Sequence, residues 1–118
     1  MTPRQLVEYG ELYLNRGRAG QRTVVPAEWV ADSCRPRTWS RWDPSREYGY
    51  GWWIQDIGGH RSCFAWGYGG QYVFTFPDLE TVVVVTSTTV SEERHEYRRR
   101  LFQLIADHVL TPLAASAR

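Results

Sequence analysis

The stretch Gln71 to Ser87, QYVFTFPDLETVVVVTS, constrains the fold more than any other part of the chain. Tyr72, Phe74 and Phe76 recur at every second position, so they share one face of an extended strand. Pro77-Asp78-Leu79-Glu80 has turn chemistry. Thr81 to Ser87 is an unbroken β-branched run, poor in helix and good in sheet. Two antiparallel strands joined by a tight turn follow, with Thr81–Ser87 expected as a central strand covered on both faces.

The period of two begins earlier. Tyr48, Tyr50, Trp52 and Ile54 fall on one side and Gly49, Gly51, Trp53 and Gln55 on the other, which predicts one strand ended by the Gly58-Gly59 turn. Ser62 to Trp66 is a second strand that runs into glycines. Helical spacing brackets this block. Thr2-Pro3 is a helix start, Leu6, Tyr9, Tyr13 and Leu14 form its stripe, and Gly17 suits its C-terminal cap, predicting a helix over 3–16. Gly10 in its middle implies a closely packed neighbour, because glycine there costs about 1 kcal/mol against alanine. Pro26 opens a shorter helix with Trp29 and Val30 buried. The loop 35–46 carries Trp39 and Trp42, expected to cover something. A last helix spans about 92–110, capped by Ser91, with Tyr97, Leu101, Leu104, Ile105 and His108 or Val109 as its stripe. Pro112 ends it, and the tail 112–118 is expected to fray. The fold class is therefore α+β, an antiparallel sheet flanked by helices.

At 118 residues the chain makes one compact domain. Fourteen basic against thirteen acidic residues leave no bulk attraction to nucleic acid or anionic membrane. No apolar run approaches a membrane helix, and MTPRQLVEYG lacks the apolar stretch of a signal peptide, so the chain reads as soluble. Every basic residue is arginine; there is no lysine. Six Trp and seven Tyr exceed what a small core needs, which points to a groove or a buried contact with further protein. Cys34 and Cys63 lie outside any C-x-x-C spacing; a disulfide is open, but two unrelated buried thiols are the favoured reading.

Several motifs fail on inspection. His95-Glu96 starts like H-E-x-x-H, but Arg99 stands where the second ligand belongs. His60, His95 and His108 have no ligand partners at metal spacing and read as turn or surface residues, so no metal or cofactor is expected. No G-x-S-x-G elbow exists, and no phosphate loop can be written without lysine. Arg98-Arg99-Arg100 reads as the solvated face of the last helix. The segment Ala65-Trp66-Gly67-Tyr68-Gly69-Gly70-Gln71 is different. Glycines at a strand end let a ligand approach the backbone and leave N–H groups open, as an oxyanion hole requires. A β-bulge or wide hairpin explains the same glycines, and the bare pattern slightly favours it.

Read in order, MTPRQLVEYGELYLNRG, VVPAEWV, YGYGWW and AWGYGGQYVFTFPDLETVVVVTS resemble the C-terminal part of class C β-lactamase-related serine hydrolases. That superfamily also contains penicillin-binding proteins, esterases and 6-aminohexanoate-dimer hydrolases. The resemblance implies an antiparallel sheet between helices, a reactive serine in S-x-x-K, a Y-x-N motif on a loop, and a third motif, K-T-G or H-x-G, on the strand bordering the active site. Tyr68-Gly69-Gly70 is similar to the third motif. By that resemblance Tyr68 stands at the catalytic and substrate-facing polar position. Gly69, Gly70 and Trp66 border the substrate, and the Gln71 N–H is one of two oxyanion donors.

Two departures qualify what is implied. Tyrosine at the lysine position removes a fixed charge that holds a β-lactam carboxylate, favouring an esterase, amidase or peptidase. None of the seven serines can belong to S-x-x-K in a lysine-free chain. Tyr13-Leu14-Asn15 matches Y-x-N only superficially, since Tyr13 lies on a helical core stripe. The expectation is a single partial domain over 1–118, with Met1 internal to a longer enzyme and the nucleophile upstream. Its partners would be a small-molecule or peptide-like substrate and an N-terminal half or a homo-oligomer, with no nucleic acid and no membrane. The alternative is a non-catalytic module that binds a peptide or small amide.

Overall fold

The computed structural model describes residues 1–67, 70–87 and 94–116, with the side chains of 94 and 95 left aside. The first helix, α1, spans Pro3–Leu14. Thr2 accepts a hydrogen bond from the Gln5 N–H at 3.1 Å while the Gln5 side chain accepts from the Thr2 N–H at 2.8 Å. Two otherwise orphaned donors are thus satisfied by one reciprocal pair. A short ribbon follows, β1 (Arg18–Ala19) with β2 (Arg22–Thr23), then α2 (Ala27–Ser33). The main sheet contains β3 (Thr38–Trp39), β4 (Glu47–Tyr48), β5 (Trp53–Ile57), β6 (His60–Gly67), β7 (Gln71–Phe76) and β8 (Thr81–Val85), ordered as in sequence and antiparallel throughout. The chain ends in α3 (Arg94–Ile105), a π-helical turn at Ala106–Leu110, and α4 (Thr111–Ser116). The expected α+β class, an antiparallel sheet flanked by helices, is what the chain forms.

Register sorts the sheet residues into two layers. Trp53, Phe64, Phe74 and Val83 lie in one cross-strand row, and Ile54, Cys63, Thr75 and Val82 in the next. Because side chains alternate across a strand, the rows face opposite ways. The first layer packs with Tyr72, Phe76, Ile105 and Leu110 into the larger core. Phe102 of α3 meets Phe64, Tyr72 and Phe74 edge-on, at 5.7, 6.1 and 5.6 Å between centroids, an arrangement worth about 0.5–1.5 kcal/mol per pair beyond area burial. The second layer packs under α1, where Tyr13 and Tyr9 lie on Trp52. The close neighbour expected at Gly10 is there: a Cβ would sit 2.6 Å from Val82 Cγ1 and 3.0 Å from Val73 Cγ1.

Several sequence expectations are corrected. Cys34 and Cys63 are a disulfide, not separate thiols; α2 ends at Cys34 directly against β6, with Cα atoms 6.0 Å apart. That proximity is tertiary and invisible in the spacing. The β-branched run is the edge strand β8, half-buried throughout, and not a central strand. The single strand expected from Tyr48 is two, β4 and β5, with Gly51 in the left-handed region between them. The first helix stops at Leu14 rather than Arg16, which takes positive φ beside Gly17. Pro112 does not end the last helix, whose described residues continue to Ser116. The π turn precedes it, and Pro112 sits in the first turn of α4, where its missing N–H costs least. The buried stripe runs through Leu101, Phe102 and Ile105 of α3 and on to Val109 of the π turn, while Leu104 and Tyr97 are exposed. Trp29, expected to be buried, is exposed instead. Trp52 is buried at 2% exposure beneath α1, whereas Trp39 and Trp42 are exposed. The Ser91 cap and the helix start at 92 lie outside the described residues.

Candidate active site

The described residues of the glycine segment lie at the end of β6, at Gly70 and at the start of β7. Gly67 pairs with Gln71 at the end of the β6–β7 ladder. Gly70 has φ +84°, and a Cβ there would meet Ser87 Oγ at 2.5 Å and Tyr97 Cε1 at 3.1 Å. Glycine is therefore required twice over, by backbone conformation and by the close approach of β8's end and α3. Gly67 is under no such constraint; its nearest neighbour would be 3.6 Å away. Two hydrogen bonds fix Gly70 and Gln71 to the segment after β8: Ser87 Oγ donates to Gly70 O at 3.2 Å, and Gln71 Nε2 donates to Ser87 O at 2.8 Å. Tyr68 and Gly69, the residues assigned the polar and adjacent substrate positions, lie outside the described residues.

Trp66 lies on the α3 side of the sheet, stacked on Tyr72 at 5.8 Å with planes 11° apart and tilted on Trp53 at 5.9 Å. Two guanidinium groups lie over its ring: Arg98 at 4.7 Å and Arg46 at 5.4 Å from the centroid. Arg98 is thus not part of a merely solvated arginine face. Burial pushes the Tyr72 hydroxyl up to about 12, although the charges of Arg98 and Arg46 pull the other way. Burial, and then the charge of Arg98, hold the Arg46 guanidinium below its ordinary value. Nearby, a hydrogen bond from the Ser45 hydroxyl, at 2.6 Å, keeps Asp43 below the usual carboxylate range.

Arg46 and Arg98 carry no signal in the sequence. Their positions depend on how the loop before β4 and the helix α3 close over the β6 end. The Y-x-N look-alike is structural, with the Tyr13 ring 4.5 Å from Trp52. His60 pairs with Asp78 at 2.6 Å. No group of metal-ligating side chains occurs among the described residues, and no described helix is long and apolar enough to cross a membrane.

With a helix-covered antiparallel sheet and the glycine-bordered ends of β6 and β7 in place, comparison with known families becomes specific. The β-lactamase family model matches residues 1–108. The chain belongs to the β-lactamase family, within the serine hydrolase class that the sequence resembles. No curated protein gives a significant match.

Proposed function

We propose that this chain is the C-terminal part of a β-lactamase-like domain that hydrolyses an ester, amide or β-lactam through an acyl-serine. The carrying observation is that family membership spans residues 1–108 while a lysine-free sequence admits no S-x-x-K. The nucleophile and its lysine then come from polypeptide other than these residues. A serine Oγ attacks the carbonyl carbon, its proton passes to a base, and the oxygen becomes an oxyanion. The Gln71 N–H supplies one of two donors to that oxyanion, the serine's own N–H the other. The side-chain-free backbone at Gly69 and Gly70 admits the substrate to the strand, Tyr68 faces its polar end, and Trp66 borders it. Collapse of the tetrahedral species expels the leaving group, and water then releases the acid.

The test is turnover by a protein joining residues 1–118 to an S-x-x-K segment of the same reading frame. It should release p-nitrophenol in a burst, with Gln71→Pro lowering kcat about 10²–10³-fold. Undiminished turnover in that variant, folded by near-ultraviolet circular dichroism, defeats the oxyanion assignment. One observation favours the second reading, a binding module. Both sheet faces are covered by the chain's own helices, as an independently folding unit requires. A cooperative thermal transition of the chain alone, with binding of a peptide or small amide and no acylation in any longer form, would favour it.

A further inference from the structure

Arg46 is the least expected feature of the molecule. It is 3% exposed, and while its backbone bonds Asp43 and Ser40, its side chain makes no hydrogen bond or ion pair with a described residue and its Nε is buried without a partner. Its guanidinium lies over the faces of Trp53 and Trp66, at 5.8 and 5.4 Å from their centroids. Ring faces offset part of the cost of desolvating a cation, but they accept none of its five N–H bonds. Buried charges in folded proteins are otherwise paired.

The surroundings bring a second guanidinium, that of Arg98, to the same indole, and the carboxylates of Asp43 and Asp56 also line the space beside them. Arg46 lines a cleft of about 660 Å³ between the loop at Trp42–Asp43, the outer half of β5 and the α3 face carrying Arg98, Arg99 and Phe102. The nearest acid, Asp43, is occupied by the Ser45 hydroxyl and amide and by Gln55 Nε2 at 3.4 Å. Gln55 Oε1 is itself buried without a partner. Arg46 and Arg98 share one indole, and each raises the local positive potential felt by the other. A cavity of this size suits a small organic molecule. Trp42, 79% exposed at the rim, and Phe102 add apolar walls.

We infer that this cleft binds a small organic carboxylate, with Arg46 and Arg98 as the anion-recognising pair and Trp42 and Phe102 against its apolar body. The planar guanidinium matches the two oxygens of a carboxylate, and the apolar surroundings strengthen the contact. The site stands on Arg46 and needs no acyl-enzyme chemistry, so it survives if the hydrolase reading fails.

Sodium benzoate is the probe, measured against sodium chloride at equal ionic strength and against neutral benzamide. Benzoate should raise the thermal midpoint saturably and change tryptophan fluorescence, and benzamide should do neither. Arg46→Met removes the buried charge and should abolish the benzoate response. Should that variant not fold, Arg98→Gln decides, with an expected weakening of roughly ten- to hundredfold. Equal effects of benzoate and chloride, or an unchanged benzoate affinity in Arg98→Gln, would overturn the proposal.

Discussion

Opening the Cys34–Cys63 bond should cost this chain much of its stability. The bond closes a loop of 29 residues in sequence. In the chain-entropy description, a cross-link of that length removes about 12 cal/mol/K from the unfolded ensemble, or about 3.6 kcal/mol at 25 °C. That is a large share of the roughly 5–15 kcal/mol typical of a folded domain. Urea unfolding followed by near-ultraviolet circular dichroism, with and without reductant, reads the effect. With a slope on the order of 1–2 kcal/mol/M, the midpoint should fall by roughly 2–4 M, and a Cys34→Ser/Cys63→Ser variant should match the reduced protein. The loss should not be uniform. Hydrogen exchange should accelerate most in α2 and β3, which the bond ties to the sheet, and least in β6 and β7, held by neighbours on both edges. A reduced protein whose midpoint stays within about 0.5 M of the oxidised one would refute the reasoning.

Gly10→Ala should destabilise despite a helix-propensity gain of about 1 kcal/mol, because a Cβ 2.6 Å from Val82 Cγ1 forces overpacking that costs about 1–3 kcal/mol. Val82→Ala in the same chain should recover part of the loss in a thermal melt. Gly70→Ala combines positive φ with a contact to Ser87 Oγ at 2.5 Å, and should lower stability by about 1–3 kcal/mol in a urea melt. Tyr72 ionises near 12 in the folded chain against 10.0 in the unfolded one, so the folded state holds its proton longer. Its contribution is intact below pH 10 and is lost as pH rises toward 12, on the order of 2–3 kcal/mol, and Tyr72→Phe should flatten that alkaline limb in pH-dependent unfolding.

What the residues disclosed tracks how local the deciding interactions are. Thr2-Pro3 marked the start of α1 because capping is settled within one turn, and the alternation in Gln71–Phe76 gave β7 its bounds because register follows period. The empty side of Gly10 was legible since only packing repays glycine in a helix. Thr81–Ser87 reads as a central strand yet supplies the edge strand β8, because β-branched residues report a strand and not its neighbours. The disulfide and the burial of Arg46 both arise where distant segments meet, so no spacing announced them. Tyr68 and Gly69 drew their roles from the order of flanking motifs alone. Gly70 gained a structural reason, its positive φ against Ser87 and Tyr97.

The most direct measurement is intact-mass analysis of this chain after exposure to a fluorophosphonate that labels activated serines. None of its seven serines has a lysine partner, so the account predicts no mass increase. It predicts stoichiometric labelling, on the S-x-x-K serine, once residues 1–118 are joined to the segment bearing that motif. Labelling of any serine within residues 1–118 of the chain alone would contradict it.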